Sequence, residues 1–109
     1  MATVYKVLAQ SAPVANTSTT LYTVPGSTST VASTLSICNT NTSNVQVNVA
    51  VQPGNASLVT KNYIVYGTTV AQSDTIFLTI GTTLATTDVI SVYSNVANVA
   101  FNLFGSEIS

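Results

Sequence analysis

The stretch Val45-Gln-Val-Asn-Val-Ala-Val51 decides the fold class, because four valines alternate along it with Gln46, Asn48 and Ala50. Successive side chains of a β-strand point to opposite faces of the sheet, so the valines share one face and the other residues share the second. Such alternation is typical of a strand that packs one face on a core. We therefore predict a β-strand at residues 45–51.

Seven further stretches have the same period of two and are rich in Val, Ile, Thr and Tyr, which strands favour. They span residues 3–8, 20–24, 30–38, 62–66, 75–80, 88–93 and 99–104. Turn-forming residues separate them, at Pro25-Gly26, 39–44, Pro53-Gly54-Asn55, Gly67, Gly81 and Ser94-Asn95. No window has helical spacing with capping residues. The chain is therefore predicted to be all-β, with about eight strands in an antiparallel β-sandwich or a jelly-roll-like barrel.

The domain prediction is a single β domain over residues 1–109. Residues 12–19 are polar, contain Pro13 and have no strand pattern. They separate residues 1–11 from the rest, so residues 1–19 are predicted to be an N-terminal strand or arm. Such an arm pairs either with its own sheet or with a neighbouring subunit.

The chain also resembles itself at an offset of about half its length. At offset 55, Thr20-Leu-Tyr22 aligns with Thr75-Ile-Phe77, and at offset 54 the stretch 44–49 aligns with 98–103. If this similarity reflects a duplication, the eight strands form two pseudo-repeated halves of four strands each. The alternative is chance similarity in a chain rich in Thr, Val, Asn and Ser.

Charged residues are unusually rare. The chain has two Lys, three acidic residues and no Arg or His, which makes 5% charged against about 25% in ordinary soluble domains. Two lysines cannot neutralise a phosphate backbone, so we expect no nucleic-acid partner. The sequence has neither a basic amphipathic helix nor an apolar run of about 18 residues, so we expect no membrane partner.

The same shortage argues against catalysis, and we predict that the chain is not an enzyme. General acid–base chemistry needs His or paired carboxylates. Asp74 and Asp88 precede strand patterns and are expected to bond to turn backbone, while Glu107 is expected in a solvated tail. Cys38 alternates within a strand and has no His to activate it, and Lys61 begins a strand as edge protection. We predict no catalytic residue, no cofactor and no metal site.

The surface is expected to be covered by partners. A mean hydropathy of +0.45 and a net charge of −1 describe a chain with little colloidal repulsion, which favours association. Aromatic side chains are enriched at interfaces. Phe77 is expected to point away from the core, and Tyr63 and Tyr66 have opposite parity on their strand, so both cannot be in the core. The predicted interface residues are Val4, Tyr5, Tyr63, Tyr66 and Phe77.

Residues 20–39, the triplet Asp74-Thr-Ile76 and the ending Phe101-Asn-Leu-Phe-Gly-Ser-Glu107 resemble small virion structural proteins of tailed bacteriophages. The resemblance implies a decoration (cement) protein that forms homo-oligomers, often trimers, and binds the major capsid protein or other virion proteins. It implies a place on the capsid surface after assembly in the bacterial host cytoplasm. The alternative is a tail or fibre module that binds a host-surface glycan through Tyr and Asn.

Overall fold

A computed structural model describes residues 2–109, which form eight β-strands and two short 3₁₀ turns. Met1, the first residue of the predicted arm, lies outside the described residues. The strands are β1 (Thr3–Ser11), β2 (Thr19–Thr23), β3 (Ser29–Asn39), β4 (Val45–Gln52), β5 (Tyr63–Val70), β6 (Thr75–Leu84), β7 (Val89–Ser94) and β8 (Val99–Ile108). The 3₁₀ turns, η1 (Pro53–Asn55) and η2 (Thr60–Asn62), lie between β4 and β5. Each of the eight predicted stretches overlaps one strand, although several strands end at other residues than predicted.

The strands form two antiparallel four-stranded sheets that pack face to face. The long sheet has the order β1-β8-β3-β6, and the short sheet has the order β2-β7-β4-β5. This interleaved order of two packed sheets is that of a jelly roll. The predicted β-sandwich is therefore confirmed. β1 pairs with β8 of its own chain.

The order has a symmetry that matches the predicted halves. Adding four to each strand number of the long sheet, and starting again from β1 after β8, gives the order β5-β4-β7-β2. This is the order of the short sheet read from its other edge. Every one of the six strand pairings joins one of β1–β4 to one of β5–β8. A jelly roll of any sequence has this symmetry, so the duplication itself stays a prediction.

The core fills the space between the inner faces of the two sheets. From the long sheet, Leu35, Ile37, Phe101 and Leu103 are fully buried, and the valines of the deciding stretch at 45, 47 and 49 meet them from the short sheet. These residues occupy alternate positions on β3, β4 and β8, as the period of two predicts. Burying side chains of this size stabilises the fold by about 1.5–3 kcal/mol each.

Three glycines lie inside strands, two of them at bulges and the third at a close approach between two strands. Gly67 and Gly81, predicted to be in turns, instead lie within β5 and β6 with φ of +66° and +53°. The register of each strand shifts there, which identifies β-bulges. Gly105 on β8 is needed for a different reason: a Cβ at this position would overlap the carbonyl oxygen of Val31 on β3.

Asn39, 1% exposed at the end of β3, joins three loops at one end of the sandwich. Its Nδ2 donates to the carbonyl oxygens of Ser43, Val70 and Ala71 at 2.9–3.1 Å. Its Oδ1 accepts hydrogen bonds from the backbone and side-chain N–H groups of Asn41. Asn41 in turn donates to the Ala97 carbonyl, so the β3–β4, β5–β6 and β7–β8 loops share one hydrogen-bond network.

Candidate interaction surfaces

Two of the three carboxylates bond to turn backbone, as the sequence predicts. Asp74 accepts a hydrogen bond from the Thr75 N–H at 2.8 Å. Asp88 accepts from the N–H groups of Ala85 and Gly54, both at 2.8 Å, and so ties the β6–β7 turn to η1. These contacts hold both carboxylates within loops of the structure.

Glu107 contradicts its prediction, because it lies on β8 and is not in a solvated tail. The strand continues past Phe104 to Ile108, which carries the carboxylate to the inner side of the long sheet, opposite Thr30. Glu107 Oε1 lies 2.7 Å from Lys6 Nζ, and the Tyr22 hydroxyl donates to Glu107 Oε2 at 2.5 Å. The Tyr22 hydroxyl is also 2.9 Å from Thr30 Oγ1.

This cluster shifts the titration of both its acidic groups. Burial and the hydrogen bond to Glu107 raise the pKa of Tyr22 to about 12. The hydrogen bonds from Lys6 and then from Tyr22 hold the pKa of Glu107 below its ordinary value of 4.5. The contribution of Glu107 to stability is therefore present above pH 4.5 and is lost as the pH falls through its folded pKa. The cluster joins β1, β2, β3 and β8 and has a structural role.

None of the charged residues occupies a strand position that faces outward from either sheet. Lys6 and Glu107 pair on the inner side of the long sheet, Asp74 and Asp88 are in turns, and Lys61 is in η2. The strand positions that face outward on both sheets are therefore uncharged.

The outer face of the long sheet has an apolar hollow of about 630 Å³. Tyr5 and Val7 of β1 are 84% and 48% exposed there, and β8 and β3 contribute Phe104 and Val31. Lys6, which pairs with Glu107, also lines the hollow. The register explains the grouping, because Val7 lies opposite Phe104, and Ser106 lies between Tyr5 and Val31. We call this surface the long-sheet hollow.

The other predicted residues of the long sheet lie outside this hollow. Val4 is 52% exposed but has the opposite parity to Tyr5, on the side of the Lys6–Glu107 pair. Phe77 points outward from β6, at the opposite edge of the sheet, and is 70% exposed. The structure thus brings Tyr5 together with residues that the prediction did not include, and it separates Val4 and Phe77 from them.

Tyr63 and Tyr66 lie together on the outer side of the short sheet, although their parity predicts opposite faces. β5 is irregular at two points: two of its residues, Tyr66 and Gly67, lie against Asn48 of β4, and its register shifts again between Tyr63 and Val65. The second shift lies between the two tyrosines and reverses the alternation. Asn48 Oδ1 accepts a hydrogen bond from the Gly67 N–H at 2.7 Å, so the backbone N–H at the bulge has a partner. The two tyrosine rings meet edge to face, with centroids 4.9 Å apart and an interplanar angle of 72°.

The tyrosine pair borders two depressions. One, of about 450 Å³, runs over the outer face of the short sheet, and we call it the short-sheet groove. Its lining residues are Ser18, Gln46, Asn48, Tyr63, Tyr66, Gly67, Tyr93 and Asn95. The other, of about 620 Å³, lies against the β4–β5 connection and is lined by Leu58, Val59, Thr60 and the same two tyrosines.

The remaining chemistry of the described chain is sparse. Cys38 is a free, partly buried cysteine on β3. Within residues 2–109, no three His, Cys, Asp or Glu side chains come together in a way that could hold a metal ion. The same residues include no helix of the length and hydropathy that a membrane span requires. No model of a known protein family matches the chain, and no curated protein is significantly similar to it.

Proposed function

We propose that this chain is a non-enzymatic structural subunit of a bacteriophage virion, and specifically a capsid decoration protein that stabilises the head by bridging shell subunits. The observation that carries the proposal is the long-sheet hollow, an exposed and mostly apolar surface in which Lys6 is the one charged lining residue. An exposed apolar patch with polar surroundings is typical of a protein–protein contact. The resemblance of residues 20–39 to small virion proteins supplies the class of partner.

The hollow is suited to a contact that forms by burial of surface. A partner side chain that packs between Tyr5 and Phe104 removes apolar area from water, which favours association. A specific contact of standard size buries about 800 Å² on each partner. Joining several subunits into a homo-oligomer, with a trimer as the expected form, multiplies weak individual contacts into firm attachment.

The first test is the number and place of the copies in purified virions. Quantitative mass spectrometry with labelling in electron micrographs is expected to find copies distributed over the head, in a fixed ratio to the major capsid protein. A handful of copies at the tail would contradict the decoration role and support the tail or fibre alternative. Absence of the chain from virions would end both.

The second test is a substitution that places charge in the hollow. Tyr5→Lys and Val7→Lys alter exposed side chains, so the variants are expected to fold. They are expected to lose attachment to capsids in a co-sedimentation assay. Thr20→Lys, at an exposed position of the short sheet, is the matched control and is expected to attach normally. Normal attachment of both hollow variants would contradict the assignment of this surface.

A further inference from the structure

The short-sheet groove has a composition unlike that of the long-sheet hollow. Tyr63, Tyr66 and Tyr93 provide aromatic surface, while Gln46, Asn48, Asn95 and Ser18 provide amides and a hydroxyl. Its volume of about 450 Å³ lies within the range of small-ligand sites, which is about 300–1,000 Å³. None of the eight lining residues has a charged side chain.

The amides of the groove are held with their donor groups unused. Asn48 Oδ1 accepts the Gly67 N–H at 2.7 Å, and Asn95 Oδ1 accepts the Gln46 N–H at 2.9 Å. An amide oxygen that is fixed in this way fixes the orientation of its NH₂ group as well. Among the described residues, neither NH₂ group donates to a protein acceptor, so both can donate to a ligand.

The tyrosines are held in a comparable way. The Tyr93 hydroxyl donates to Asn16 Oδ1 at 2.9 Å, which leaves its oxygen lone pairs free to accept. Tyr66 is 73% exposed, and its edge-to-face contact with Tyr63 limits the positions of both rings. Rigid aromatic side chains give contact area at a low cost in conformational entropy.

These features select one class of ligand. An anion or a nucleic acid would need a lysine or arginine, which the groove lacks. A purely apolar ligand would leave the Asn48 and Asn95 amides dehydrated and unpaired. A neutral saccharide fits both requirements, because its hydroxyl groups accept from the amides and its C–H face packs on tyrosine. We infer that the short-sheet groove is a binding site for uncharged saccharides.

This inference does not depend on the proposed role in the capsid, because the groove and the long-sheet hollow lie on opposite sheets and share no lining residue. It is tested on the purified chain alone. A panel of neutral oligosaccharides built from glucose, galactose, mannose and N-acetylhexosamines is titrated into ¹⁵N-labelled protein. At least one neutral member is expected to bind, with amide shifts concentrated at Asn48, Gly67, Tyr93 and Asn95.

Two matched aromatic substitutions locate the site. Tyr66→Ala is expected to weaken binding at least about tenfold, which corresponds to about 1.4 kcal/mol. Phe77→Ala, at a similarly exposed aromatic residue of the long sheet (70% against 73%), is expected to leave binding unchanged. Because both side chains are exposed, both variants are expected to fold, which circular dichroism checks.

Three results would overturn the inference. The first is the absence of any neutral binder in the panel at millimolar concentration. The second is binding that survives Tyr66→Ala, or that Phe77→Ala removes. The third is binding confined to acidic saccharides, or to a protein partner on this face.

Discussion

Replacing Asn39 with alanine is expected to destabilise the fold more than any comparable change at a polar residue. The substitution removes a side chain that is 1% exposed and that donates to three carbonyl oxygens while accepting from two N–H groups of Asn41. The Asn39 amide has two hydrogens for three carbonyl oxygens, so one hydrogen is shared between two of these acceptors. Water cannot replace the partner of the buried Val70 carbonyl without opening the loops.

The magnitude follows from the number of groups left unpaired. A buried group that loses its partner costs about 1–3 kcal/mol, and the Ser43 carbonyl near the surface can regain a bond to water. We therefore expect a loss of about 3–4 kcal/mol in the free energy of unfolding. That is a large fraction of the roughly 5–15 kcal/mol of a typical domain. At about 4 °C per kcal/mol, the melting temperature is expected to fall by roughly 12–16 °C.

The assay is urea unfolding followed by circular dichroism, with the slope m checked so that the midpoints can be compared. Asn44→Ala is the control, because Asn44 is exposed and accepts one hydrogen bond, from the Gln72 N–H. We expect it to cost less than about 1 kcal/mol. A loss below about 1 kcal/mol in Asn39→Ala with unchanged m would refute the reasoning, because it would show that this network does not hold the loops.

Three further changes test other parts of the fold. Gly105→Ala is expected to cost at least about 2–3 kcal/mol, because the new Cβ meets strand backbone, whereas Gly26→Ala meets no atom within 4 Å and is the control in thermal melts. Tyr22 is stabilising as the neutral phenol, so unfolding free energy should fall by roughly 2–3 kcal/mol as the pH rises from 10 towards 12. The measurement is the unfolding free energy after rapid jumps to each pH, made on the wild-type protein and on Tyr22→Phe. The variant should lack the fall that is due to Tyr22, and an identical fall in both proteins would contradict its assignment to Tyr22. Thr87 is β-branched with φ +72°, so Thr87→Gly is expected to raise the unfolding free energy by about 0.5–1 kcal/mol, and a measured loss would contradict the strain.

The eight strands could be predicted because each has several residues of strict alternation, such as Val45 to Val51, with turn residues beyond. The ends of β5, β6 and β8 could not be predicted, because each strand continues past a glycine. A glycine in a strand pattern indicates either a turn or a bulge, and only the partner strand decides which. Gly67 and Gly81 were wrongly assigned to turns for this reason.

The surfaces were less accessible than the fold. Exposure of Phe77 followed from its parity, but the grouping of Tyr5 with Phe104 depends on how β1 is aligned with β8. A register between strands nearly 100 residues apart leaves no local pattern in the chain. The joint position of Tyr63 and Tyr66 depends on the register shift of β5 between Tyr63 and Val65. Glu107 was misplaced because no apolar alternation marks the last residues of β8.

The interleaving of the two halves determines when this chain can fold during synthesis. β8 leaves the ribosome after the other seven strands, and yet it lies in the interior of the long sheet, between β1 and β3. Until it arrives, β1 has no neighbour in its sheet, and β3 is paired on one side at most. Contacts this distant in sequence form slowly, on a scale of milliseconds to seconds. Throughout that interval the nascent chain has unpaired strand edges and few charges to keep it apart from others, so the risk of misassembly is greatest just before the last strand is inserted.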